Sequence, residues 1–226
     1  TQNARVVDQA SPADEGKPIS PNVPLNLGLG LVGGLGLGLA FAFFVAFIDD
    51  RVKSPYDIEG VVGLPILGII PEIKRLDASD RARVAATNAD RQVAEAFLTL
   101  HSSLRLKDES KSAKAFLTTR TIPGEGKSFL TTNLAMTFAA HGEKVVVVDC
   151  DLRKPNIHKS LGLENSNGTI DVASGKAKLD EVIVRGVVPN LDVIVAGGRA
   201  KNPTQVLNSK GFEQMVSDLR KRYDRI

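Results

Sequence analysis

Pro123-Gly124-Glu125-Gly126-Lys127-Ser128, followed one helix later by Val145-Val146-Val147-Val148-Asp149-Cys150-Asp151, decides how this chain is read. A glycine-rich turn ending in Gly-Lys-Ser lets successive backbone N–H groups close around phosphate oxygens. The lysine adds positive charge to the same oxygens, and the serine hydroxyl can ligate Mg²⁺. Ahead of the turn, Ala115-Phe116-Leu117-Thr118-Thr119 reads as a buried strand, and behind it Ser128 to Ala140 reads as a helix. The four valines make a second buried strand whose C-terminal edge delivers Asp149 and Asp151. Side chains alternate along a strand, so these two carboxylates are expected to face the same way, toward a bound metal.

The strict phosphate-loop pattern wants glycine six residues before the lysine, where this chain has Thr121. Alone, the turn can be an ordinary loop and the Asp-x-Asp a solvated strand end. Together, at one βαβ spacing, they point to nucleoside triphosphate–Mg²⁺ binding. The candidate nucleotide contacts are Pro123, Gly124, Glu125, Gly126, Lys127, Ser128 and Phe129, and the candidate metal ligands are Ser128, Asp149 and Asp151.

With 226 residues the chain has room for one or two domains. A net charge of +3 and few aromatics argue against a nucleic-acid partner. The single cysteine, Cys150, excludes a disulfide framework and a Cys-rich metal site. It reads as a small core residue in a reducing compartment. The chain starts at Thr1 and stops at Tyr223-Asp224-Arg225-Ile226, and is expected to be a segment of a longer protein.

Residues 1–24 are polar and carry Pro12, Pro18, Pro21 and Pro24, which suits an extended arm outside the cytoplasm. Leu25 to Ile48 then runs without a charge, with Asn26 as its one amide. A helix of that length is about 36 Å long, enough to cross a bilayer core. Gly30-x-x-x-Gly34 and Gly34-x-x-x-Gly38 place small residues on one face, where another membrane helix can approach closely. All Lys and Arg except Arg5 and Lys17 lie beyond the span, and Arg51 and Lys53 immediately after it favour a cytoplasmic C-terminal side. Residues 49–90 read as a juxtamembrane linker and 91–226 as the nucleotide domain. Within that domain Val93, Phe97, Leu100 and Leu104 form one helical stripe, Leu191 to Val195 a strand, and Lys210 to Arg222 a helix. The expected fold is α/β: a P-loop NTPase-type parallel sheet with helices on both faces, preceded by a transmembrane helix and truncated at its C-terminal end.

From the proline-flanked span onward, the chain resembles the bacterial tyrosine kinases that act as polysaccharide co-polymerases in capsule and exopolysaccharide export. The resemblance rests on Gly63-Leu64-Pro65-Ile66-Leu67-Gly68, Glu95-Ala96-Phe97, the loop at Pro123 to Ser128, and Asn133-Leu134-Ala135. It continues through Asp149-Cys150-Asp151-Leu152-Arg153-Lys154-Pro155, Leu161-Gly162-Leu163, Asn167-Gly168 and Asn202-Pro203. Tyr223-Asp224-Arg225-Ile226 resembles the start of the strand that carries the family's second acidic motif. Related septum-positioning and partition ATPases carry an extra lysine early in the loop, where this chain has Ile122.

The resemblance implies ATP and Mg²⁺ as cofactors, with Lys127 on the β/γ-phosphates and Ser128 on the metal. Asp149 and Asp151 would hold the metal and its waters, one of them accepting the tyrosine hydroxyl proton, which makes Lys127, Asp149 and Asp151 the implied catalytic residues. It also implies an inner-membrane autokinase with its kinase domain in the cytoplasm and its subunits in a ring. A polysaccharide polymerase and export machinery and a phosphotyrosine phosphatase would be its partners. Two departures stand out. The family's interface arginines fall here on Leu98 and His101, of which His101 is expected to be partly protonated, and the C-terminal tyrosine cluster is absent, leaving Tyr56 and Tyr223. Arg153 reads equally as a phosphate partner or a solvated loop residue. The competing reading is a structural co-polymerase subunit in which nucleotide binding serves assembly alone.

Overall fold

The computed structural model describes residues 21–48, 59–60, 63–73, 76–107, 113–119 and 126–226. The chain divides into two compact units, Thr1–Leu64 and Pro65–Ile226. In the first, helix α1 (Val23–Ile48) is uncharged and exposed throughout, with a mean hydropathy of 2.4 over its most apolar window. Its 26 residues give a length of about 39 Å, so it is long and apolar enough to cross a membrane.

The second unit is built on a small sheet. Strand β1 (Val145–Val148) pairs in parallel with β3 (Leu191–Ile194), and β2 (Ile183–Val188) lies antiparallel on the other side of β3. The sheet is therefore mixed rather than purely parallel. The antiparallel pair follows from a short connection: Asn190 sits between β2 and β3 at φ 64°, turning the chain back on itself. A parallel return would require a crossover of a dozen or more residues.

The strand expected at Ala115–Thr119 is only an extended segment. Phe116 N–H donates to the Ile226 carbonyl and Ile226 N–H to the Lys114 carbonyl, but Leu117 is 87% exposed. Phe116 is what this segment contributes to the core: its ring stacks on Phe138, and the Arg225 guanidinium lies over both rings. Arg225 is further held by Glu143 at 2.5 Å.

Helices pack on the sheet as the apolar stripes dictate. In the helix named α4 here (Arg91–Lys107), Val93, Phe97 and Leu100 are buried. They meet the side of α5 (Lys127–Ala140), where the Phe97 and Phe129 rings contact edge to face at 5.5 Å. Val84, Leu67 and Ile70 close the same cluster. The linker reading of residues 49–90 thus fails in its second half. From Pro65 onward the chain belongs to the compact unit, with short helices α2 (Ala78–Arg81) and α3 (Val84–Thr87) docked on α5. The dock is polar as well as apolar. Asn133 on α5, fully buried, accepts from Ala85 N–H at 2.8 Å and donates Nδ2 to the carbonyls of Arg81 at 2.8 Å and Phe129 at 3.0 Å.

His101 corrects another expectation. It is 3% exposed, stacked on His141 with centroids 4.3 Å apart and edge-on to Phe138. Burial, then the positive charge of His141 and Arg105, hold its pKa below the usual histidine value. It is a neutral core residue, whereas Leu98, three positions earlier, is 40% exposed.

On the far side of β3, the helix Lys210–Arg222 buries Met215 and Leu219. Ser209 caps its start by accepting from Phe212 N–H at 3.2 Å. Tyr223 follows, 3% exposed, its hydroxyl donating to Asp192 Oδ2 at 2.6 Å.

Candidate active site at the start of α5

Gly126 begins the site. It is the residue before α5, at φ 83° and ψ 22°, a left-handed conformation that costs an L-residue with a Cβ roughly 1–2 kcal/mol. That turn delivers Lys127 and Ser128 as the first residues of a 14-residue helix, where unsatisfied N–H groups and the positive end of the helix dipole favour an anion. Thr131, Thr132 and Thr137 each return a hydroxyl to the carbonyl four residues back, which satisfies these polar groups along the buried side of the helix. Phe129 is part of the first turn, but its side chain packs on Phe97. What it can offer a nucleotide is its backbone. Pro123, Gly124 and Glu125 lie outside the described residues.

β1 supplies the opposing acids, and here the expected symmetry breaks. Sheet pairing ends as Asp149 N–H donates to the Ile194 carbonyl. Beyond it the chain turns, so strand alternation no longer governs Asp151. Asp149 is 3% exposed; its Oδ1 accepts from Asp151 N–H at 3.1 Å and its Oδ2 from Ile157 N–H at 3.3 Å. Burial raises its pKa against the opposing effect of those two hydrogen bonds. Asp151 points into the cleft. Its Oδ2 accepts from Lys127 Nζ at 2.8 Å, each side chain about one-fifth exposed, and its Oδ1 accepts from Lys154 N–H at 3.1 Å. The two aspartates therefore divide the work: Asp149 ties down the 151–157 loop, and Asp151 meets the lysine. Between them Cys150 is half-buried, and burial pushes its thiol up to about 11, so it stays a protonated packing residue.

A cleft of about 630 Å³ opens in front of this pair, within the range of small-molecule sites. Its lining includes Gly126, Lys127, Ser128 and Asp151. Arg81, Lys154, Lys159 and Arg199 line it too. Sequence reading assigned no role to the last four residues. Arg81 came from a supposed linker, and only the adjacency of Lys154 to the Asp-x-Asp and of Arg199 to Gly197-Gly198 was there to mark the others.

Residues 117–225 match the CobQ/CobB/MinD/ParA nucleotide binding domain family. EpsB of Ralstonia solanacearum is 29% identical over 231 residues, covering 98% of this chain and 30% of EpsB. The tyrosine-protein kinase Ptk of Acinetobacter johnsonii is 27% identical over 232 residues, covering 99% of this chain and 31% of Ptk. Among solved structures, the kinase domain of the Escherichia coli tyrosine kinase Etk superposes with a TM-score of 0.68 at 25% identity, covering 77% of this chain and 71% of that domain. Over nearly its whole length the chain is similar to proteins named bacterial tyrosine-protein kinases. It spans less than a third of the length of EpsB and of Ptk.

Likeness to a nucleotide-binding domain and to tyrosine-protein kinases implies ATP use, and the site has donors that fit it. A left-handed glycine opens a helix N-terminus, a lysine and a serine stand on its first turn, and a carboxylate faces them across the cleft.

Proposed function

We propose that this chain is the membrane-span and kinase-domain portion of an ATP-dependent protein-tyrosine autokinase that regulates exopolysaccharide or capsule polymerisation and export. One observation carries the reading: Lys127, at the start of α5, and Asp151, beyond β1, meet at 2.8 Å on the edge of the cleft. Two sequence-distant motifs converge there into one charged site.

Lys127 and the N-terminus of α5 would receive the β- and γ-phosphates. Ser128 and Asp151 would hold Mg²⁺, which when bound neutralises charge developing on the transferred phosphoryl group. Asp149, with both oxygens engaged by backbone N–H groups, fits a positioning role that keeps Asp151 and Lys154 at the cleft. A tyrosine hydroxyl keeps its proton until near pH 10, and in this reading Asp151 would accept it. Tyr223 is a poor acceptor: it is buried, and burial together with Asp192 raises its pKa further. The acceptor in this reading is a tyrosine outside the folded core. The site operates on the cytoplasmic side of the bacterial inner membrane, with α1 as the span, subunits assembled as an oligomer, and polymerase, export machinery and a phosphatase as partners.

The test is phosphotyrosine formation by the full-length protein. Lys127→Met should lower it by at least about a hundredfold, the scale on which removing one transition-state charge contact acts. Unchanged phosphotyrosine would end the kinase reading. Nucleotide binding without phosphotyrosine in the unmodified protein would instead support the structural-subunit reading.

A further inference from the structure

We propose that the cleft facing Lys127 selects its acceptor by charge, taking tyrosine embedded in an acidic peptide. This rests on the kinase reading above and adds the substrate class. The cleft lining holds five cations against two carboxylates, Asp77 and Asp151. Lys127 and Asp151 are bonded to each other. That leaves Arg81, Lys154, Lys159 and Arg199 facing Asp77 alone. None of these four has an ion-pair partner among the described residues. Elsewhere on this surface, Arg185 and Arg222 sit on Asp180, and Lys221 on Asp218.

The four cations come from three separate segments, and the fold pins each segment in place. Arg81 is held through its backbone carbonyl by Asn133 and through its own Nε, which donates to the Leu76 carbonyl at 2.6 Å. Lys154 N–H is bonded to Asp151. Lys159 stands on a short helix (Ile157–Leu161) whose last carbonyl accepts from Arg83 Nη2 at 3.1 Å. Arg199 is fixed by the next residue, since Ala200 N–H donates to the Leu152 carbonyl at 3.0 Å. Anchored backbones thus carry exposed cationic tips around one opening. Like charges gathered this way repel each other, and an anion placed among them relieves that cost.

A tyrosine side chain is neutral at physiological pH, so this wall offers the acceptor hydroxyl itself nothing. Carboxylates flanking the tyrosine would meet Lys154, Lys159, Arg81 and Arg199 and orient the ring toward the Lys127–Asp151 pair. Basic flanks would be repelled. Specificity then arises from electrostatic complementarity, with strong salt dependence.

The experiment is a fluorescence-anisotropy titration of the full chain in detergent with three labelled peptides: Glu-Glu-Glu-Tyr-Glu-Glu-Glu, and the same peptide with serine or lysine flanks. The acidic peptide should bind at least about tenfold tighter than the serine peptide, and the lysine peptide should bind weakest. Each cation contact contributes about three- to fivefold, so the Lys154→Glu, Lys159→Glu double variant should lose the preference. Its circular-dichroism melting should be unchanged, because both side chains are exposed and form no ion pair among the described residues. The preference should persist in Lys127→Met, where phosphoryl transfer is removed. Equal affinity for the three peptides, no binding of the acidic one, or a double variant that keeps the preference would each overturn the inference. Phosphotyrosine on the peptides reports separately. Equal phosphorylation of all three by the full-length protein would refute charge selection and leave the kinase standing, whereas charge-selective binding with no phosphotyrosine on any peptide or on the full-length protein itself would refute the kinase.

Discussion

Asp149 and Asp151 stand two residues apart and do opposite things. Replacing Asp149 by Asn leaves one backbone N–H, of Asp151 or Ile157, facing an amide donor in a buried site, and should cost about 1–3 kcal/mol of unfolding free energy. Asp151→Asn removes the charge that faces Lys127, and its expected effect is on ligand binding: the strengthening of ATP binding by Mg²⁺ should shrink at least about tenfold. Urea unfolding and nucleotide titration with and without Mg²⁺ separate the two, and a reversed pattern would exchange the roles assigned here. His101 gives a pH signature. Its folded pKa lies below the ordinary histidine value, so the unfolded chain takes up the proton first as pH falls. Its contribution to stability is therefore full above about pH 6.5 and is lost below it. His101→Leu should show a smaller fall in melting temperature between pH 7.5 and 5.5 than the wild type. An identical fall in both proteins would show that the buried imidazole is not the group responsible.

At the scale of elements, α5 serves both the site and the core. Its N-terminus opens onto the cleft, and its middle, through Asn133, holds the 81–85 segment, from which Arg81 and Ala82 line the same cleft. Asn133→Ala would leave the Ala85 N–H and the Arg81 carbonyl without their partner at a buried contact. A loss of about 1–3 kcal/mol is expected in unfolding, together with weaker nucleotide binding as that segment loosens. If stability and binding both stayed at wild-type values, the segment would be held by Val84 and its apolar neighbours alone. The helices at Arg91–Lys107 and Lys210–Arg222 were legible from their stripes because each buries one face, the first against α5 and the second against the sheet. β2 carried no such mark. Ile183–Val188 pairs on one edge only, with Arg185 and Gly186 exposed, so its sequence lacks the continuous apolar run of a central strand.

At the scale of the molecule, the boundary at Leu64 separates an apolar helix with no buried residue from a unit with its own packed clusters. Residues 65–226 should therefore melt cooperatively without the first 64, and bind nucleotide with the affinity of the full chain in detergent. Calorimetry and titration on both forms test this. A fragment that fails to melt cooperatively would mean that the first unit stabilises the second.

The sequence by itself determined the membrane-length helix, the glycine turn and Lys-Ser start of α5, the valine strand and its acids. Each depends on local chemistry: glycine's conformational freedom, an uninterrupted apolar run, residue types at fixed spacing. The tertiary structure alone decided that His101 is buried, that Asp149 turns inward while Asp151 reaches Lys127, and that Arg81 joins Lys154, Lys159 and Arg199 around one cleft. Those outcomes depend on where the sheet stops pairing and on which distant segments pack together, and neither is encoded at any single position of the chain.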